Sequence, residues 1–243
     1  MKTIIIAAAI KTELNGVLRL ARFAASGPGG ANYRRAELGG ADVVLVVSGI
    51  GGERAYETAA RACRELSPAA YVSVGMSAGL VDNLMPGDVV IASGTRTLGG
   101  GEVYNSDEAL LASISNKPLV VRVGEIAAAD RVAATAAEKR AIAAMGNYIA
   151  LDMESAGAAR ACYEEGVPFI AVRGISDALG DDLPVDFNRF IKDGALDWPR
   201  FGLHVITHPA CIPGLVRLGR GSSLAAKNIG ITVGGLLISW AAD

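Results

Sequence analysis

At 243 residues, with a formal net charge of -2 and 51% hydrophobic content, the chain is long enough to bury one sizeable core, and its charge gives no electrostatic ground for binding nucleic acid. Aromatics make up only 5%, so that core must come mainly from Ala, Val, Ile and Leu. The three cysteines, Cys63, Cys162 and Cys211, have neither metal-ligand nor redox-motif spacing, which points to a reducing cytoplasm.

Met1-Lys2 followed by Ile4–Ile10 superficially resembles a signal peptide, which would need a small-residue cleavage site and a polar continuation, but Glu13 arrives at once and the next segment reads as a helix. Thr3–Ile10 instead predicts a strand buried on both faces. Lys11–Ala25 has helical spacing at Leu14, Val17, Leu18 and Ala21, and Ser26–Ala31 is a Gly/Pro turn. Ala41–Val47 is the next strand, ending in Ser48-Gly49-Ile50-Gly51-Gly52, and a helix runs from Glu53 to Leu66 before Pro68. Ala70–Val74 predicts a strand ending in Gly75-Met76-Ser77-Ala78-Gly79. Asp88–Ala92 and Leu119–Val123 are further strands. Ala133–Met145 is helical with Gly146 as its stop. Strand Tyr148–Leu151, helix Ser155–Glu165 and strand Phe169–Gly174 complete the pattern.

This alternation predicts an α/β fold with a largely parallel sheet. No repeat, low-complexity tract or linker divides it, so residues 1–243 read as a single domain with a C-terminal extension from about 195 to 243. In such sheets ligands gather outside the carboxyl ends of the strands. Ser48–Gly52, Gly75–Gly79, Met153-Glu154 and Ser176-Asp177 all fall there. Glu154 and Asp177 each end a short apolar run, and a buried charge is costly unless paired or used. Each also has a plainer reading, Asp177 as a helix N-cap and Glu154 in the first turn of Ser155–Glu165.

The glycine-rich loops are not nucleotide fingerprints. Arg54 stands where a dinucleotide motif needs glycine, and neither loop ends in Gly-Lys-Ser/Thr. A tight strand-to-helix turn and a backbone cradle for an anion or sugar both remain open. His204 and His208 lack the glutamate of a zinc-protease helix and precede Pro209, so no metal site is expected. Ser77 lacks a Gly-x-Ser-x-Gly context, against a serine hydrolase.

Five stretches in order, Ala9–Leu14, Ser48-Gly49-Ile50-Gly51, Gly75–Leu80 with Pro86-Gly87-Asp88-Val89-Val90, Leu151–Ala156 and Arg173–Asp177, resemble the nucleoside phosphorylase/nucleosidase superfamily of the purine and uridine phosphorylase type. Within it the chain is most similar to the methylthioadenosine/S-adenosylhomocysteine nucleosidases, over roughly residues 1–190. The resemblance implies a three-layer α/β/α sandwich around a mixed, largely parallel sheet, and cleavage of a ribosyl N-glycosidic bond. It makes Asp177, with Ser176 beside it, the acid that protonates the departing purine. It makes Glu154 the carboxylate on the ribose hydroxyls with Met153 against the sugar, and Glu13 the residue that positions and deprotonates water. Val132 and Ala133 fall against the purine, and Ser48, Gly49, Gly75, Met76 and Ser77 line the nucleophile or anion pocket. A small purine nucleoside is the implied partner and a homo-oligomer the implied assembly. No cofactor is implied beyond inorganic phosphate in the case of a phosphorylase.

The chemistry suits these residue types. Departure of the base builds oxocarbenium-like charge on the ribose, much as in glycoside hydrolysis. An acid at the leaving group is worth about 10²–10⁴-fold, and a carboxylate near the sugar stabilises the growing cation. Glu13 is expected ionised and Asp177 protonated, with pKa values pushed apart.

Phosphorylases of this type carry an arginine where Ser73 stands and a serine where Met76 stands, and Ala8-Ala9-Ile10-Lys11 replaces an early Gly-Asp-Pro phosphate loop. Loss of a bidentate arginine removes the strongest phosphate anchor, so water is the expected nucleophile. Arg54 or Arg173 remain as alternative anchors, which keeps a phosphate-dependent phosphorylase as the alternative and a non-catalytic nucleoside-binding protein as a second one. The tail, with Leu196-Asp197-Trp198, His208-Pro209 and Ile212–Leu218, resembles the hopanoid-associated phosphorylase branch, which implies adenosylhopane as substrate. Ile229, Val233, Leu236, Leu237 and Trp240 form a helical stripe, read either as a helix covering the core or a subunit interface, or as a surface peripheral to the inner membrane with Arg217, Arg220 and Lys227 near headgroups. Lys227 and Asn228 argue against a spanning helix.

Overall fold

The computed structural model describes residues 3–22, 33–114, 119 and 121–241. Strand β1 (Thr3–Ala8) is buried from Ile4 to Ala8 and runs parallel to β3 (Ala41–Val47) on one edge and to β4 (Ala70–Gly79) on the other. Its alternation decides which layer each side chain enters. Ile5 and Ala7 face alanines of α2 (Gly52–Leu66) and α5 (Ser155–Glu164). Ile4, Ile6 and Ala8 face α1 (Asn15–Leu20) and the long C-terminal helix. Helices thus cover both faces of the sheet, giving the three-layer α/β/α arrangement. Small residues let α2 and α5 come close: a Cβ at Gly157 would lie 2.1 Å from Gly52 O. Buried between the same two helices, Cys63 and Cys162 lie with their sulfurs 4.0 Å apart, a proximity their separation in sequence hides.

Beyond β4 the sheet closes on itself. β4 pairs with β9 (Phe169–Asp177) over Tyr71–Ala78 and with β8 (Tyr148–Asp152) at Ala78 and Gly79. β9 pairs with β5 (Val89–Thr97), β5 with β7 (Val121–Ala128), and β7 with β8. These five strands form a small distorted barrel, bent by register irregularities at Ser77/Ala78, Ala92/Gly94 and Glu125/Ile126, as bulges do. Closure explains a difference from the expected element boundaries. Gly75–Gly79 and Ser176-Asp177 are not loops past strand ends but strand residues, because the barrel supplies them with partners.

The edge strand β2 (Tyr33–Leu38) was not foreseen; only Ala36 and Leu38 turn fully inward, so its polar sequence hides the pattern. A 3₁₀ turn, Lys11–Leu14, and the short α1 replace the predicted helix Lys11–Ala25, whose end lies with the Ser26–Ala31 turn outside the described residues. β6 (Tyr104–Asn105), α3 (Glu108–Ala112) and α4 (Ala136–Ala143) complete the central part.

Past β9 the chain forms a 3₁₀ turn over Phe187–Arg189. Asp193 and Gly194 turn with positive φ in the hairpin between β10 (Ile191–Lys192) and β11 (Ala195–Leu196), and helix α6 (Trp198–Thr207) starts after it. The 30-residue α7 (Ile212–Ala241) then crosses the sheet. Ile229, Val233, Leu236 and Leu237 are fully buried in the core, so the stripe covers the core and does not face a membrane. By contrast, no residue from 198 to 224 is buried.

Candidate active site

The floor of the site is an ion pair. Arg173 on β9 is 1% exposed, and its Nε donates to Asp152 Oδ2 at 2.5 Å. Nη1 donates to Ser73 O at 2.8 Å and Val172 O at 3.2 Å, and Nη2 to Ser73 Oγ at 2.9 Å. Asp152 also accepts from Ser155 Oγ at 2.8 Å at the start of α5. The guanidinium is therefore built into the protein and is not the free phosphate anchor considered above. Ser73, where a phosphate-binding arginine was missed, is instead the acceptor of Arg173.

Glu13 lies above this floor. Its Oε1 accepts from Met76 N–H at 2.8 Å and its Oε2 from Ile10 N–H at 3.1 Å. A Cβ at Gly75 would lie 3.2 Å from Glu13 Oε1 and 3.7 Å from Arg173 Cζ, so glycine there lets carboxylate and guanidinium approach the strand. Burial pushes the Glu13 carboxyl up, against the opposing pull of Met76 N–H, Ile10 N–H and Arg173. This reverses the direction expected for a residue assumed ionised. It also makes Glu13 a stronger base than an exposed carboxylate.

Glu154 occupies the N-cap position of α5, yet its side chain makes no cap there. It reaches across to Gly51 N–H, which donates to Oε1 at 2.9 Å. Gly51 has φ of 108°, a conformation glycine accepts readily, and this aims its N–H away from α2. Burial first, then the nearby Asp152 and Glu13, push Glu154 up to about 8. It therefore holds its proton at neutral pH.

Asp177 closes β9 and caps no helix; Asp181 accepts the Ala178 N–H instead. Asp177 Oδ1 accepts from Ser176 Oγ at 2.6 Å, and Oδ2 from Lys139 Nζ at 2.7 Å. Lys139 is fully buried and absent from the sequence-based set. A signal existed: three residues after the buried Ala136 on α4, it sits on the inward stripe. Glu13 and Asp177 share one wall, residues 75–78 of β4. Met76 N–H holds Glu13, Ser77 O accepts from Ser176 Oγ at 3.2 Å, and Ala78 is paired with Asp177 on one side and Leu151 on the other.

The remaining candidates divide. Ser77 Oγ is buried without a partner, a donor that a ligand can satisfy. Met153 is half-buried beside Glu154. Ser48 Oγ donates to Gly49 O at 2.9 Å and Ala8 O at 3.3 Å, and Gly51 N–H is taken by Glu154, so this loop's donors serve the protein. Arg54 is exposed and packs against Gly49 and Gly194. Ala133 is buried with Leu80, Tyr148 and Leu151. Val132 has both backbone groups engaged: its N–H donates to Asn188 Oδ1 at 2.8 Å and its C=O accepts from Asn188 Nδ2 at 2.9 Å. His204 and His208 stack on each other at 4.2 Å in the α6 segment.

Two cavities open on this region, one on Glu13 and one on Asp177, and α7 contributes to both. One of about 310 Å³ is lined by Glu13, Met76 and Arg19 with Ser222, Ser223 and Lys227 of α7. The other, about 250 Å³, is lined by Ser176, Asp177 and Asp182 with Arg217 and Gly221 of α7.

A family model described as "Phosphorylase superfamily" matches residues 3–197, which hold Glu13, Glu154, Asp177, Lys139 and the Asp152–Arg173 pair. The chain belongs to the phosphorylase superfamily. It is an enzyme of that superfamily, similar to the 5'-methylthioadenosine/S-adenosylhomocysteine nucleosidases. The nucleosidase of Shewanella sp. (strain W3-18-1) is 31% identical over 184 residues, covering 67% of this chain and 79% of that protein. Among solved structures, the nucleosidase of Neisseria meningitidis in complex with methylthio-immucillin-A superposes with a TM-score of 0.74 at 21% identity, covering 98% of this chain and 100% of its own. The futalosine hydrolase of Helicobacter pylori reaches 0.74 at 17% identity, with 97% of each chain covered. At these identities the structures establish the fold, and the α/β/α phosphorylase architecture agrees with them.

Proposed function

We propose that the chain hydrolyses the N-glycosidic bond of a 5'-substituted adenosine and releases adenine. The observation that carries this reading is Glu13, buried and held by Met76 N–H and Ile10 N–H beside a buried arginine that bonds Asp152, Ser73 and Val172. A buried carboxyl of raised proton affinity is suited to take a proton from water. The arginine that might have gripped phosphate is buried and directs four hydrogen bonds into the protein.

In this reading Glu154 holds the ribose hydroxyls and ionises as the oxocarbenium charge grows, so its stabilisation is greatest in the transition state. Asp177 protonates the departing purine ring, and Ser77 Oγ gains the partner it lacks. The 310 Å³ cavity beside Glu13 provides room for water and sugar, and the 250 Å³ cavity beside Asp177 room next to the base.

The 5' group is assigned as apolar, with adenosylhopane as the most elaborate candidate. In support, Trp198, Leu203, Ile206, Ile212 and Val216 are exposed on α6 and the start of α7, beside Arg217 and Arg220, a composition suited to peripheral contact with a membrane. No helix among the described residues is long and apolar enough to cross one. A homo-oligomer is also proposed, since such a surface is otherwise left to water.

A panel of adenosines with 5' groups from hydroxyl through alkylthio to long-chain hydrocarbon, with and without inorganic phosphate, tests the assignment by the adenine released. Adenine and free sugar without phosphate are expected. Phosphate-dependent release of a sugar 1-phosphate would establish the phosphorylase alternative, and binding without turnover across the panel the non-catalytic one.

A further inference from the structure

We propose that Lys139 is the positioning residue behind the acid, and that its ammonium holds the proton that Asp177 passes to the departing purine. This rests on the role given to Asp177 above. Lys139 projects from α4 with no exposed surface, and its Nζ donates to Asp177 Oδ2 at 2.7 Å and to Ala178 O at 2.5 Å. Its one ion pair among the described residues is with Asp177. Asp177 in turn lines a cavity together with Ser176. A buried ion pair is weak evidence for stability, since well-packed apolar residues of similar volume often serve as well or better. The surroundings of α4 are apolar, with Ala133, Tyr148, Ile142 and Ala143 in one cluster. A lysine in that setting, aimed at a carboxylate that lines a cavity of about 250 Å³, is accounted for by chemistry.

The other charged groups near Asp177 have separate duties. Asp181 accepts from Ala178 N–H, Asp182 accepts from Ala136 N–H, and Arg217 faces the cavity from α7. The step balances as follows. The C1'–N9 bond breaks and its electron pair enters the purine ring. The Lys139 proton moves to Asp177 Oδ2 and the Asp177 carboxyl passes a proton to a ring nitrogen, leaving Asp177 a carboxylate and Lys139 a neutral amine. Water adds to C1' and gives its proton to Glu13. Glu13 then releases that proton to solvent, and Lys139 takes one up.

The test compares two leaving groups in wild type, K139M, K139R and D177N. One substrate is the adenosine cleaved best in the panel above. The other is a p-nitrophenyl riboside with the same 5' group, whose nitrophenolate leaves without protonation. K139M is expected to lose about 10²-fold or more in kcat on the adenosine, with KM little changed, and to keep most of its activity on the nitrophenyl riboside. D177N should follow the same pattern, and K139R should recover part of the adenosine activity. If K139M does not fold, K139Q, which keeps a donor to Asp177 but has no proton to give, is read in the same way. Equal losses on both substrates, or none on adenosine, overturn the proposal while leaving the reaction assignment in place. Absence of adenine release by the wild type overturns both.

Discussion

Glu13 and Met76 are joined by a 2.8 Å hydrogen bond from the Met76 N–H to Oε1, so the backbone of a buried strand fixes the position of the base. Met76 replaces a serine expected from the resemblance, but the contact uses the main chain and survives the change of side chain. Only the carboxylate of Glu13 accepts from both Met76 N–H and Ile10 N–H. In Glu13→Gln the amide must turn its NH₂ toward one of these donors. The expected result is a loss of about 10²–10⁴-fold in kcat, with KM changed far less. Steady-state kinetics on the best nucleoside check it, and a loss confined to KM would count against the role of base.

Asp152 and Arg173 are a buried pair in which neither partner reaches water. Replacing Asp152 by Ala strands a guanidinium that retains only carbonyl and hydroxyl acceptors. Removing one member of such a pair costs about 3–5 kcal/mol, so D152A should show a clearly lower denaturation midpoint in guanidinium chloride. The double variant D152A/R173M should recover part of the loss.

Glu154 makes stability depend on pH. Its folded-state pKa, about 8, lies above the ordinary 4.5, so the folded protein binds more protons than the unfolded chain between these values. The contribution is fully present below about pH 4.5 and is lost as pH rises through 8. The melting temperature of the wild type should therefore fall from pH 5 to pH 8, and Glu154→Gln, which cannot ionise, should flatten that fall. A variant profile parallel to the wild type would remove Glu154 as its cause.

Gly16 of α1 and Gly230 of α7 meet backbone to backbone. A Cβ at Gly16 would lie 1.7 Å from Ala226 O, and one at Gly230 2.4 Å from Gly16 O. Either alanine substitution must push α7 off the sheet, and overpacking of this kind costs about 1–3 kcal/mol or more. Because α7 lines both cavities, G16A should lower activity as well as thermal stability. A fully active G16A with an unchanged melting temperature would show that α7 does not shape the site.

Much of the site was legible because its residues end apolar runs. Glu154 and Asp177 stood out as charges at the ends of buried strands, and Glu13 as the charge that halts the first one. Their partners were not legible. Asp152 lies one residue past a recognised strand and Arg173 within another, but their pairing depends on two register relations across β4. Lys139 lies on the inward stripe of an alanine-rich helix, but its partner Asp177 is 38 positions away and is set by how α4 packs.

The sequence by itself determined the alternation of the main buried strands and helices and singled out the three carboxyl groups. Hydrophobic periodicity and the cost of burying charge are local properties, carried by neighbouring residues. Tertiary structure alone decided that Gly75–Gly79 is a strand, that the barrel closes through β8, that Arg173 is already spent on Asp152, and that α7 roofs the core and walls both cavities. Those outcomes follow from backbone hydrogen bonds and close contacts between residues up to some 200 positions apart, such as Gly16 against Gly230, which no window of neighbouring residues contains.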